Sequence, residues 1–133
     1  MSWFGTSTIA AGATVYAPPG GFGSSVTPEK ELFIWSGSSA ATFSRMNVYI
    51  QTAQPGDAAM TVNFTKCTPS SGICTLATCS IQVVVAASAP AGAQTPDNTH
   101  TCTVNPGDLY SYQIINASGS PSAFLVNIST LYK

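Results

Sequence analysis

The sequence predicts an all-β fold, a two-sheet antiparallel β-sandwich of jelly-roll type with about eight strands. Three observations lead there. Thr, Val, Ile, Tyr and Phe dominate the patterned segments, while the helix formers Leu, Glu, Lys and Arg are scarce. Several segments alternate apolar and polar residues with period two, the mark of a strand with one buried face. Clusters of Gly, Pro, Ser and Asn separate those segments, as turns require.

The strands are expected at residues 8–17, 30–36, 43–52, 59–66, 79–87, 99–104, 109–116 and 123–132. Met46, Val48 and Ile50 share one face of the third, Met60, Val62 and Phe64 one face of the fourth, and Phe124, Val126 and Ile128 one face of the last. One polar and one apolar face per strand is the pattern of antiparallel sheets wetted on one side. Tyr110, Tyr112 and Ile114 fall together in the seventh. Two segments are apolar on both faces: Leu32-Phe33-Ile34-Trp35, which points to a central strand or one covered by another subunit, and Ile81 to Val85.

The length fits one domain, 1–133, whose residues 1–25 form an N-terminal arm plus a Gly/Pro-rich loop. The loop, Pro18-Pro19-Gly20-Gly21-Phe22-Gly23-Ser24-Ser25, sets the first segment apart, so Trp3, Phe4 and Tyr16 read either as an arm that docks elsewhere or as the first strand of the sandwich. Residues 86–98, rich in Ala, Pro and Gly, read as a second long loop. The tripeptide Pro55-Gly56-Asp57 recurs as Pro106-Gly107-Asp108, each time just before a strand. Pro presets the first turn position, Gly supplies a positive φ at the second, and Asp ties back to the local backbone. The alternative, two carboxylates converging on Ca²⁺, lacks the six or more oxygen ligands such a site wants.

Charged residues make up only 7% of the chain, against about a quarter in ordinary domains. The net charge is −1, with Arg45 as the one arginine and Lys30, Lys66 and Lys133 scattered, so no basic stripe exists for nucleic acid. No apolar run approaches the roughly 20 residues of a membrane span. Residues 1–6 carry neither the basic start nor the apolar core of a secretory leader, which gives the expectation of synthesis in a cytoplasm.

Cys67, Cys74, Cys79 and Cys102 do not complete a zinc-ribbon spacing. The segment from Cys67 to Cys74 reads as a turn stapled at its ends, leaving Cys79 and Cys102 as the second pair. Free buried thiols are the main alternative, and four cysteines allow three pairings. Oxidised cysteines without a leader suit a protein made inside a cell and released by lysis.

Little in the chain supports catalysis. The single histidine, His100, lies two residues from Cys102, so a strand would place both on one face as a dyad or metal pair; a loop-end histidine beside a structural cysteine is the plainer reading. The acids Glu29, Glu31, Asp57, Asp97 and Asp108 read as strand-entrance, turn and loop residues. No catalytic, cofactor-binding or metal-binding residue is assigned, and no cofactor. A sugar platform built from Trp35, Tyr49, Tyr110 and Tyr112 competes with a core or interface role for the same rings. The three sequons at Asn63, Asn116 and Asn127 are expected by chance in so Ser/Thr-rich a chain.

The segment Thr103-Val104-Asn105-Pro106-Gly107-Asp108-Leu109-Tyr110-Ser111-Tyr112-Gln113-Ile114, followed by Asn116-Ala117-Ser118-Gly119, resembles the "V-x-P/A-G-D-L-x-S-x-x-V" strand–turn–strand of small jelly rolls of the tumour-necrosis-factor and C1q type. Related trimeric sandwiches decorate phage capsids and cap phage fibres. The resemblance spans residues 45–132 and implies a sandwich that self-associates, often as a homotrimer; the extra cysteines and the Gly/Pro-rich leader depart from it.

These readings give the expectation of a non-enzymatic structural protein of a virus particle, a phage capsid decoration (cement) protein. Its partners would be copies of itself and a major capsid or other structural protein, with no nucleic acid and no membrane, and its location the virion. Trp3, Phe4, Tyr16, Phe33 and Trp35 are the interface candidates. One alternative is a receptor- or carbohydrate-binding tip of a phage fibre or a cell-surface adhesin, with an exposed aromatic concavity near Tyr110 or Tyr112. Another is a filament subunit whose residues 1–17 are donated to a neighbour's sheet edge.

Overall fold

A computed structural model describes residues 2–19, 33–71, 74–123 and 125–133. The strands are β1 (Ser2–Ser7), β2 (Thr14–Ala17), β3 (Phe33–Ile34), β4 (Ala41–Ile50), β5 (Met60–Cys67), β6 (Ala77–Val85), β7 (Gln94–Val104), β8 (Leu109–Asn116) and β9 (Leu125–Tyr132). They build two sheets, one ordered β1-β9-β4-β7 and the other β2-β8-β5-β6, with every pairing antiparallel. β3 also pairs with β8. Because β5 occupies one whole side of β8, β2 and β3 must lie end to end along the other side as one interrupted strand. Counted that way, eight strand positions divide four and four in the order of a jelly roll.

The two sheets meet over a core with residues from both: Phe43, Met46, Val48 and Ile50 from β4 face Met60, Val62 and Phe64 from β5, Ile81, Val83 and Val85 from β6, and Tyr110, Tyr112 and Ile114 from β8. The aromatic rings concentrate toward one end of the sandwich. Phe43 lies 4.8 Å from Phe64 and 5.3 Å from Tyr110, and Trp35 meets Phe43 and Tyr132 edge-on. Such tilted and edge-to-face pairs add to the burial of the rings themselves.

Simple alternation cannot account for β4, where Ala41 and Phe43 are buried along with Met46, Val48 and Ile50. A bulge resolves the change of parity. Arg45 takes the left-handed conformation (φ 52), and the pairing of β4 with both neighbours shifts register there. β7 compensates. Its residues 98–100 stand opposite Arg45 alone, so Asp97 faces inward on one side of the bulge while Cys102 and Val104 face inward on the other.

Several expectations need correction. The first segment is not set apart: β1 pairs with β9, and β2 with β8, so Ser2–Ser7 and Thr14–Ala17 are strands of the chain's own sheets. That removes the basis for a donated N-terminal strand. The expected strand 8–17 is confined to its last four residues, and in the described part of 30–36 the strand residues are Phe33 and Ile34, which are exposed at a sheet edge rather than central. Ile81 to Val85 alternates: Val84 faces out and its neighbours Val83 and Val85 in. Residues 94–98, read as loop, begin the longest strand. Pro96 is tolerated there because β7 is the last strand of its sheet. The Gly/Pro-rich loop beyond Pro19, the acids Glu29 and Glu31 with Lys30, and Leu32 and Phe124 lie outside the described residues.

Candidate functional site

The four cysteines pair as Cys67–Cys74 and Cys79–Cys102. The first closes the end of β5 onto the loop that follows. The second joins β6 to β7, the outer strands of the two sheets on one flank of the sandwich. Asp97 reinforces the same seam. Its buried carboxylate accepts the backbone N–H of Gln82 from β6 at 3.0 Å, those of Thr99 and His100 from its own bulge at 3.1 and 3.2 Å, and the His100 ring at 2.9 Å. Burial pushes the carboxyl up, but these donors outweigh it and hold Asp97 well below the usual carboxylate range.

The seam overturns the Cys–His pairing. Cys102 is buried in a disulfide, whereas His100 is exposed and bonded to Asp97. The bulge between Asp97 and Thr101 breaks the two-residue alternation that would have put both on one working face.

The Pro-Gly-Asp turns stand at opposite ends of β5. Asp57 precedes its start, and Asp108 neighbours Leu109, the partner of Cys67 at its end. Eight strand residues separate them by roughly 25 Å, so the two carboxylates cannot share a Ca²⁺. Both serve turns. The carboxylate of Asp57 accepts the Ser118 hydroxyl and the Gly119 N–H, each at 2.7 Å, which lowers its pKa. Asp108 accepts the Thr68 hydroxyl at 2.6 Å and the Asn105 N–H at 2.8 Å, and Lys66 stands 3.8 Å away. Burial opposes ionisation of Asp108 but is outweighed, so its pKa is lowered as well. Gly107 has the expected positive φ (87), but Gly56 does not. What Gly56 provides is room, since a Cβ there would come within 3.0 Å of the Ser88 hydroxyl.

The aromatic platform is overturned too. Tyr110 and Tyr112 are buried, and the Tyr112 hydroxyl bonds Thr130 at 2.9 Å. Burial pushes both phenols up. Trp35 is half-buried, its Nε1 donating to the Ser39 carbonyl at 2.8 Å and Gly37 packed against its ring. Of the other interface candidates, Phe33 is exposed beside Tyr110, and Tyr16 is half-buried on β2. Trp3 and Phe4 pair through their backbones with Ile128 and Asn127, and their side chains lie outside the described part. The sequon residues Asn63 and Asn116 are buried and hydrogen-bonded; Asn127 is half-buried.

What sequence reasoning missed is a row of side chains across the outer face of the second sheet. Tyr16, Gln113, Asn63 and Gln82 are direct partners in register on β2, β8, β5 and β6. The Gln82 amide donates to Asn63 at 2.8 Å, Asn63 to Gln113 at 2.9 Å, and Gln113 to the Tyr16 hydroxyl at 3.1 Å. The adjacent row in register is Thr14, Ile115, Thr61 and Val84. Neither row contains a charge. The signal available in sequence was weak: single Asn, Gln and Thr residues at outward positions, with nothing local to say that they align.

Among the described residues, no group of three or more His, Cys, Asp or Glu side chains is placed to hold a metal ion, and no helix is long and apolar enough to cross a membrane. Protein-family models and curated proteins were both compared with this chain, and none matches it.

Proposed function

We propose that this chain is a non-enzymatic structural protein of a virus particle, a capsid decoration protein that associates with copies of itself, as a homotrimer, and with a shell subunit. The observation that carries the reading is the outer face of the β2-β8-β5-β6 sheet, whose two rows of described side chains carry no charge and whose amide row is bonded within the chain. Covering such a face desolvates no ion. The amides keep their partners when water leaves, so burial does not orphan them. Ile115 and the exposed Val84 supply apolar area beside the amide row. The jelly-roll order adds support by analogy, since shell proteins of viruses often use it.

Sedimentation equilibrium of the purified chain tests the reading, alongside Ile115→Lys and Val84→Asp. Trimers that dissociate in both variants, with melting temperature retained, are the expected result. A monomer at all concentrations, or trimers indifferent to both substitutions, overturns self-association through this face. Binding to expanded empty capsids of a candidate phage tests the particle role separately.

A further inference from the structure

We infer a second site, on the other sheet, that binds a carboxylate-bearing sugar ring. Ser44, Arg45, Leu131, Tyr132 and Lys133 line an open cleft of about 310 Å³ where β4 and the end of β9 run side by side. That is the small end of the range for ligand pockets, room for one monosaccharide rather than a chain of them.

Two of the four cations in the sequence meet at this cleft. The ion pairs of the described residues use Lys66 and His100, and neither Arg45 nor Lys133 takes part in one. The nearest acid in register, Asp97 opposite Met46, faces inward and is occupied by backbone donors. A guanidinium without a carboxylate of its own is matched to a ligand carboxylate, which it grips with two parallel N–H bonds. Lys133 adds a second positive charge, and the Ser44 hydroxyl a neutral partner.

The backbone at Arg45 points the same way. A left-handed conformation is ordinary for Gly or Asn and strained for Arg, so the bulge would be relieved by a smaller residue. Bulges re-aim side chains, and this one presents the only arginine of the chain at the cleft. The opposite wall is apolar. Leu131, the partner of Ser44 in register, is 56% exposed and offers contact to the C–H face of a pyranose. Tyr132 pairs with the buried Phe43 and turns its ring to the other face of the sheet, against Phe43 and Trp35. A cationic wall facing an aliphatic one selects a ring that carries an acid group, and favours it over either a neutral sugar or a bare inorganic anion.

The test is an NMR titration of the labelled chain with glucuronate, with glucose and sulfate as the separate controls. Arg45→Gly is the informative variant, because it removes the guanidinium while suiting the backbone, and its thermal midpoint reports that the fold is kept. Saturable shifts of β4 and β9 amides with glucuronate are expected, with glucose and sulfate each about tenfold weaker or more, and with the response lost in Arg45→Gly. Any one of four results overturns the site: no saturable shift, shifts elsewhere on the chain, shifts undiminished in Arg45→Gly, or sulfate binding as tightly as glucuronate. The titration reads the same in an Ile115→Lys background, so its failure is distinct from failure of the association proposed above.

Discussion

Asp97 on β7 accepts the backbone N–H of Gln82 on β6 at 3.0 Å, so one buried carboxylate ties the edges of the two sheets together. It also satisfies the N–H groups that the bulge at 98–100 turns inward. Edge strands with free N–H groups invite unwanted pairing, and a carboxylate at the seam occupies one of them.

Replacing that carboxylate should be costly. Asp97→Asn keeps the shape but turns an acceptor of several N–H bonds into a group that is half donor. Loss of about 2 kcal/mol or more is expected at neutral pH, read from the urea midpoint. The acid limb should change too. The folded pKa of Asp97 lies below its unfolded value of about 3.9, so the stability it contributes is complete above that pH and is lost as the pH falls below it. Asp57 and Asp108 act in the same direction. Asp97→Asn should therefore flatten the loss of stability below about pH 4 without abolishing it.

The two disulfides should contribute unequally. Cys67–Cys74 closes a separation of 7 residues and Cys79–Cys102 one of 23. Loop closure alone gives roughly 2.5 kcal/mol for the first and roughly 3.5 kcal/mol for the second. Paired Cys→Ser variants, compared by denaturant unfolding, should follow that order. The larger effect should appear at the β6–β7 flank as faster amide exchange.

Asn116 holds one end of the sandwich together. Its side-chain amide donates to the carbonyls of Ile9, Ala10 and Ser120, and its oxygen accepts the Ser118 N–H. Asn116→Ala should cost about 3 kcal/mol, since it leaves buried backbone groups without partners. Thermal unfolding measures it; a loss under about 0.5 kcal/mol would refute the role.

Gly37 is required for space, not for φ. A Cβ there would fall 2.7 Å from the Trp35 ring. Gly37→Ala should displace the indole from its edge-on contacts with Phe43 and Tyr132, shift the fluorescence maximum and cost about 1–2 kcal/mol. Gly92→Ala, at an open site with φ 80, should cost stability through the backbone but leave the emission unchanged.

Much of the fold could be read from local pattern. Met60, Val62 and Phe64 alternate with polar residues and are buried, as are Met46, Val48 and Ile50. The Cys67–Cys74 pair follows from a short turn-rich span, and it left Cys79 and Cys102 for each other. These features depend on residues a few positions apart, because strand periodicity and turn chemistry are properties of the local backbone. Three features escaped for a common reason. Pro96 makes the start of β7 look like a loop until the strand is known to be an edge. Arg45 gives no hint of a positive φ, since the bulge becomes necessary only when Phe43 and Met46, of opposite parity, enter the same core. Tyr16, Gln113, Asn63 and Gln82 become a row only when four strands settle in one register. The chain thus carries in its local order which residues go inside and where it turns. Which strands are edges, where they bulge and which polar groups meet was left to the packing of the two sheets, because register is set by contacts between residues distant in sequence.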